Sequence, residues 1–215
     1  MSISFNNAKG SAIKNTEAYK YVDGENVVRL IGNILPRYLY WLKDKEGKDI
    51  PLECLAFDRD KEKFTNKEVD HVRTYFPELK CQWSYAINCI DPKDGKVKVL
   101  NLKKKLLQQI MDAAADGLGD PTDVDSGWDC VFKRVKSGPL AFNVEYNLSV
   151  LKLKKRALTP EERDIVAAAD TIDVKLPRPT PTEIETICKR IVNSEESSEE
   201  DSTEESPATE AAKDL

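Results

Sequence analysis

The sequence predicts an α+β fold that is mainly β, with a small barrel as the closure that we expect for its strands. Three observations support this prediction. Short segments alternate between apolar and polar residues, as half-buried strands do. Turns rich in Gly, Pro and charged residues join these segments into hairpins. Helical spacing is confined to short stretches that lie between or after the hairpins.

The first hairpin is predicted from aromatic and aliphatic runs around a charged turn. Residues 27–31 are rich in β-branched side chains and end at a glycine, and residues 35–42 form a second apolar run. The charged turn 43–48 leads to a strand over 50–55, in which Pro51 indicates an edge position or a bulge.

The second hairpin lies between two predicted helices. A polar cap and a following proline predict a short helix over 66–75. Residues alternate over 83–89 and over 96–100, and the turn 91–95 between them completes the hairpin. Leucines and an isoleucine at helical spacing then predict a helix over 103–115.

The remaining elements are a third strand pair and two C-terminal helices. The segments 128–135 and 142–153 are expected to pair around a Ser-Gly-Pro turn. Thr159 is followed by a proline and two glutamates, which is typical of a helix start. A last short helix is expected over 183–192, after a proline-rich link.

Charge divides the chain into a weakly basic body and a strongly acidic end. The whole chain has 33 Lys+Arg, 38 Asp+Glu and a net charge of −5, yet residues 193–215 hold nine of the acids and one lysine. We expect an N-terminal arm over 1–25, a core over 26–158, a C-terminal helical extension over 159–192 and a disordered acidic tail over 193–215. No apolar run approaches the ~18 residues of a membrane-spanning helix, so we expect a cytoplasmic protein.

Several classes of catalytic and metal site lack the motifs that they require. The five cysteines form no Cys-x-x-Cys pair, and a zinc site with the one histidine, His71, would have to assemble from remote segments. The acidic loop 120–127 departs from the EF-hand pattern, and neither a phosphate-binding glycine loop nor a catalytic triad motif occurs. We therefore expect no metal, no other cofactor and no enzymatic activity.

Basic residues interleaved with aromatic rings are the pattern that remains. Proteins that bind single-stranded nucleic acid need cations for the phosphates and flat rings on which unpaired bases stack. The alternative, a core ring or a solvated lysine, stays open for each residue, and a one-residue shift of strand register exchanges Tyr40 for Trp41. The nucleic-acid-binding candidates are Arg37, Tyr38, Tyr40, Trp41, Arg59, Trp83, Tyr85, Lys103, Lys104, Lys105, Arg134, Phe142 and Tyr146.

The acidic tail has two predicted roles. It would compete with nucleic acid for a basic groove, and it would offer a docking strip for basic partner proteins. A tail that only increases solubility is the alternative. The candidate partner-binding residues are Glu195, Glu196, Glu199, Glu200, Asp201, Glu204 and Glu205.

Several segments together resemble the single-stranded-DNA-binding proteins of tailed phages, which are related to the helix-destabilising protein of T-even phages. The resemblance spans roughly residues 27–155. Its segments are PRYLYW (36–41), DGKVKVLNLKK (94–104), GDPT (119–122), GWD (127–129), FKR (132–134) and SGPLAFNV (137–144).

The resemblance implies an OB-fold core that coats single-stranded DNA during phage replication, recombination and repair in the host cytoplasm. It also implies an acidic C-terminal tail that contacts phage replication or recombination proteins. The T-even protein carries a zinc subdomain and a basic N-terminal motif for cooperative binding. The Cys/His set here departs from the first, and the isolated lysines of residues 1–20 depart from the second. An RNA-binding OB module, a protein-interaction factor acting through the tail and a divalent-metal nuclease are the alternative functions.

Overall fold

The computed structural model describes residues 18–43, 46–65, 67–139 and 143–200, with side chains described as far as Asn193. The strands of this part are β1 (Gly24–Lys43), β2 (Asp49–Glu53), β3 (Phe57–Asp58), β4 (Lys63–Phe64), β5 (Gln82–Asp91), β6 (Lys96–Leu102), β7 (Asp129–Lys136) and β8 (Val144–Leu148). Its helices are α1 (His71–Tyr75), α2 (Lys104–Ala113), α3 (Pro160–Ala168), α4 (Ile172–Lys175) and α5 (Pro181–Glu200).

The described residues divide into two compact units. The first, called here the sheet unit, contains the described chain up to Tyr38 together with Arg59–Lys63 and Trp83–Arg178. The second, called the hairpin unit, contains Leu39–Asp58, Phe64–Gln82 and the chain from Pro179.

The largest sheet has the strand order β6-β5-β1-β7-β8, and β2 pairs with the last part of β1. Strand β1 is antiparallel to β2 and to β7, β5 is antiparallel to β6, and β7 is antiparallel to β8. These strands and the short helices confirm the α+β, mainly β prediction. The expected barrel closure is wrong, because no ladder joins β6 to β8 in the described chain and α2 packs along β8 instead.

Both faces of the sheet unit's strands are buried. On one face, Leu106 and Ile110 of α2 join a core with strand residues such as Leu30, Ile87 and Phe132. On the other face, smaller clusters pack against α3, α4 and the segment before α3. Their buried members are Leu35, Ala86, Val99 and Ile172 in one cluster, and Ile31, Ile90 and Leu158 in the other.

The side chain of Gln109 on α2 covers the edge of the sheet at β8. Its Oε1 accepts a hydrogen bond from the Leu148 backbone N–H at 2.6 Å, and its Nε2 donates to the Tyr146 carbonyl at 3.2 Å. An edge strand presents such groups to any other strand that approaches. One glutamine thus satisfies a donor and an acceptor on β8.

A charged network fixes the start of α3 within the sheet unit. Arg156 donates to Asp129 at 2.7 Å and to Glu162 at 2.7 Å. Thr159 caps α3 by accepting from the Glu162 N–H, and the Glu162 carboxylate accepts from the Thr159 N–H, which confirms the predicted helix start. The hydrogen bond from Arg156 lowers the pKa of Glu162 below its ordinary value.

The hairpin unit contains the β1–β2 hairpin, α1 and α5, and α1 contacts α5. Asp70 organises its interior. The Asp70 carboxylate accepts from the Tyr40 hydroxyl at 2.6 Å and from the Cys54 thiol at 3.3 Å, and it caps α1 through the Arg73 N–H. Burial is the main cause that raises the pKa of Cys54 to about 12, so this thiol stays protonated near neutral pH.

Three elements differ from their predicted bounds. β1 continues through Gly32, whose φ of 70° bends the strand between the two predicted runs without ending it. α1 begins after Asp70, later than the predicted start near residue 66, because Asp70 supplies the cap. α5 continues past the predicted end at residue 192 to Glu200.

Candidate nucleic-acid interface

Two aromatic rings of β5 form the centre of the candidate site in the sheet unit. The ring centroids of Trp83 and Tyr85 lie 4.3 Å apart with 31° between the ring planes, and both side chains are half-buried against the core. Tyr38 of β1 is also half-buried and lies near enough to Tyr85 to affect its ionisation. We call Tyr38, Trp83 and Tyr85 the aromatic platform.

Within the short loop 59–63, Glu62 contacts this platform and Arg59 contacts the segment after α4. The Tyr85 hydroxyl donates to the Glu62 carboxylate, and both terminal nitrogens of Arg59 donate to the Leu176 carbonyl at 3.3 Å. Burial, followed by the bond to Glu62, raises the pKa of Tyr85 to about 12. Glu62 has a φ of 48°, a left-handed conformation that non-glycine residues rarely adopt and that often marks functional sites.

The loop brings two exposed lysines that the sequence analysis missed. Lys61 and Lys63 flank Glu62 and are exposed, so positive charge lies beside the residue that holds Tyr85. The sequence feature that could have indicated these lysines is the alternating charge of residues 59–63, Arg-Asp-Lys-Glu-Lys. Its link to Tyr85 could not be read from the sequence, because the two segments are more than twenty residues apart.

The predicted lysine triplet lies beside the same part of the sheet. Tyr85 pairs with Leu102, the last residue of β6, and Lys103 follows directly as the residue that precedes α2. Lys103, Lys104 and Lys105 are all exposed, and Lys105 lies 3.6 Å from Glu145. The structure therefore places Tyr38, Trp83 and Tyr85 together, with the start of the triplet one residue beyond the Tyr85–Leu102 pair. Arg59 is in the loop of Glu62, but its guanidinium is held by the Leu176 carbonyl.

Two predicted phosphate ligands are engaged inside the sheet unit. Arg37 is 8% exposed and donates to the Asn101 side chain at 3.2 Å. Arg134 forms an ion pair with Asp23, and the hydrogen bond to Tyr146 is the main cause that raises the pKa of Arg134. Burial of Arg37 corrects the expectation that it lies on an open phosphate-binding surface.

Two predicted stacking residues are part of the interior. Tyr146 is 8% exposed and packs edge-to-face on Tyr21 at 4.9 Å. Tyr40 is 3% exposed, because its hydroxyl reaches Asp70 inside the hairpin unit. These placements correct the expectation that either ring stacks on bases. The neighbour of Tyr40, Trp41, points the other way and is 45% exposed, also in the hairpin unit.

The other predicted residues cannot be located by their side chains. Phe142 lies outside the described residues. Glu195, Glu196, Glu199 and Glu200 belong to the backbone of α5, and Asp201, Glu204 and Glu205 lie outside the described chain.

The described side chains form neither a metal cluster nor a membrane-spanning helix. Over the described ranges, no group of three or more His, Cys, Asp or Glu side chains is arranged to hold a metal ion. No described helix is both long and apolar enough to cross a bilayer.

Comparison with known proteins adds one relative. No protein-family model matches the chain. The chain is similar to a protein of Escherichia phage T5 that is named "Probable ssDNA-binding protein", with 34% identity over 138 residues. The similar region covers 58% of this chain and 54% of the relative, so the chain spans about half the length of that curated relative.

Proposed function

We propose that the chain binds single-stranded DNA with little sequence preference, as a non-enzymatic protein. The observation that carries the proposal is the Trp83–Tyr85 ring pair, 4.3 Å apart, beside two exposed lysine segments. Stacking on a protein ring stabilises each bound base by ~1–3 kcal/mol, and lysines near the rings would hold the phosphates. The name of the phage T5 relative supports DNA over RNA as the ligand.

We also propose that the core is an OB-fold. Its support is the antiparallel sheet of β1 and β5–β8, with α2 inserted between β6 and β7. OB-folds are five-stranded, partly open barrels that present one surface to oligonucleotides.

The biological role that we propose is the coating of single-stranded DNA during phage replication, recombination and repair, in the host cytoplasm. The phage origin of the relative supports this setting. The acidic residues after 193 would recruit phage replication or recombination proteins, or cover the DNA site when DNA is absent.

The test is a fluorescence-anisotropy titration of labelled oligo-dT, oligo-rU and duplex DNA with the full chain. We expect oligo-dT to bind more tightly than duplex DNA. Trp83→Ala should weaken oligo-dT binding by about fivefold or more, since one stacking contact is worth ~1–3 kcal/mol. Trp41→Ala is the matched control, because it removes an exposed ring from the hairpin unit, and it should leave oligo-dT affinity unchanged.

Three results would count against the proposal. Tighter binding of oligo-rU than of oligo-dT would favour the RNA-binding alternative. Equal binding of duplex DNA would show that unpaired bases are not recognised. Unchanged oligo-dT affinity in folded Trp83→Ala and Tyr38→Ala would remove the aromatic platform from the site.

A further inference from the structure

The hairpin unit contains an open apolar groove that the proposed function does not use. The groove has a volume of about 520 Å³, within the ~300–1,000 Å³ of ligand-binding clefts. Its apolar lining comes from the β1–β2 hairpin, the end of α1 with the residues after it, and α5. The apolar lining residues are Trp41, Leu42, Tyr75, Phe76, Leu79 and Ile191. We call this surface the Trp41 groove.

Trp41 makes the groove unusual for a solvent-facing surface. Its side chain is 45% exposed, although indole is among the side chains that gain most from burial. Exposed tryptophans in concave apolar surfaces are enriched at protein interfaces, where they supply much of the binding energy. A ligand that covers Trp41 would therefore have apolar side chains.

The charges of the hairpin unit favour a basic ligand. Segments 39–58, 64–82 and 179–215 contain 9 Lys+Arg against 19 Asp+Glu, and nine of these acids lie in residues 193–215. At the groove, Lys43 is paired with Asp49 at 3.0 Å, whereas Glu78 is the other charged residue of the lining. Lys189, two residues before Ile191, is paired with Glu185 at 2.8 Å.

The chain that leaves the groove adds further negative charge. Ile191 lines the groove, and α5 continues beyond it for nine residues. Glu195 and Glu199 follow Ile191 by about one and two helical turns, at spacings of four and eight residues. Nucleic-acid phosphates would be repelled by this helix end, and lysines or arginines would be attracted to it.

We propose that the Trp41 groove binds an amphipathic segment of a partner protein, one that carries both apolar and basic side chains. The apolar side chains lie against Trp41 and Leu79, and the basic ones face the acidic end of α5. This mode corresponds to the docking of an amphipathic helix in an apolar groove. The groove adds apolar contacts to the attraction by the acidic end of the chain. Such contacts confer specificity that charge alone does not supply.

The test uses a fluorescent synthetic peptide of about 14 residues, with leucine at helical i, i+3, i+4 spacing and lysine elsewhere. Two control peptides replace all lysines by glutamate or all leucines by glutamine. We expect the Leu/Lys peptide to bind the full chain, and both control peptides to bind at least about tenfold more weakly.

Substitutions in the chain test whether the Leu/Lys peptide binds in the Trp41 groove. Trp41→Ala should weaken Leu/Lys peptide binding by about tenfold or more, as expected for an interfacial tryptophan. Glu195→Lys combined with Glu199→Lys should weaken it mainly at low salt. Trp83→Ala should leave it unchanged, which separates this proposal from the DNA-binding proposal.

The opposite results would overturn the proposal. Peptide affinity that is unchanged by Trp41→Ala, in a protein shown by circular dichroism to be folded, would exclude the groove. Equal binding of the Leu/Glu peptide would exclude the charge requirement. Loss of oligo-dT affinity in Trp41→Ala, together with displacement of the peptide by oligo-dT, would identify the occupant as a nucleobase.

Discussion

The two units of this protein both expose aromatic rings, yet the residues of the two units carry opposite net charge. The sheet unit, segments 1–38, 59–63 and 83–178, has 24 Lys+Arg against 19 Asp+Glu, whereas the hairpin unit has 9 against 19. Rings beside lysines suit unpaired bases, and a ring beside carboxylates suits an apolar and basic peptide. The difference teaches that exposed rings of the same kind lead to different proposed ligands when the net charge of the unit that carries them differs.

The largest expected effect is a loss of folding stability in the hairpin unit. Asp70→Ala removes the carboxylate that accepts from the buried Tyr40 hydroxyl and Cys54 thiol, and it removes the cap of α1. The Tyr40 hydroxyl then keeps only the weak acceptor Cys54 Sγ, at 3.7 Å. We expect a loss of about 2–3 kcal/mol of stability, since an unsatisfied buried polar group costs ~1–3 kcal/mol. Urea unfolding measures the loss, and Asp70→Asn is the milder control because its amide oxygen still accepts.

Hydrogen exchange on Asp70→Ala then tests whether the two units open separately. Faster exchange should be confined to the β1–β2 hairpin and α1, because the partners of Asp70 lie there. Equal acceleration in β5 and β6 would show that both units unfold together.

The second effect is on DNA binding by the sheet unit. Reversing Lys103 and Lys104 to glutamate should weaken oligo-dT binding by at least about tenfold at low salt, because two cations beside the aromatic platform are lost. The slope of log K against log salt should also fall by ~0.7 for each phosphate contact removed. Lys67→Glu, an exposed reversal in the hairpin unit, should leave both quantities unchanged.

The third effect is a pH dependence of folding stability that comes from Glu162 in the sheet unit. Glu162 has a lowered pKa in the folded sheet unit, mainly because of its hydrogen bond from Arg156. Its contribution is therefore present above the ordinary glutamate pKa and is lost as pH falls through the lowered value. Glu162→Gln should cost about 1 kcal/mol near pH 6 and less near pH 3.

Urea unfolding at the two pH values measures this difference. Glu145→Gln, which alters an exposed carboxylate in the same unit, should leave the pH profile as it is in the unmodified chain. A Glu162→Gln cost that is equal at both pH values would assign the loss to the capping hydrogen bonds alone.

The smallest effect concerns the acidic end of the chain. Deleting residues 193–215 removes nine acids and one lysine and changes the net charge from −5 to +3. Oligo-dT binding should become about two- to threefold tighter at low salt, and the gain should shrink as salt rises, because screening weakens both competing interactions. Thermal stability should change little. Equal oligo-dT affinity with and without the segment at about 50 mM salt would exclude autoinhibition.

Local pattern predicted the strands and helices of this chain better than it predicted their exposure. Alternation placed Tyr40 and Trp41 on opposite faces, but the buried face was decided by Asp70, thirty residues further along the chain. Similarly, Tyr146 is interior because Tyr21 packs on it from a distant segment. The barrel closure failed for a related reason, since the packing of α2 along β8 depends on contacts that no single segment reveals.

The hydrogen bonds of Gln109 affect how readily copies of this protein could aggregate through the edge strand β8. When copies of a protein meet at high local concentration, an open strand edge acts as a template for intermolecular sheet growth and aggregation. The Gln109 amide already occupies the Leu148 N–H and the Tyr146 carbonyl, so a neighbouring strand finds neither group available. A single side chain on α2 therefore leaves an approaching strand no free backbone donor at Leu148 and no free acceptor at Tyr146.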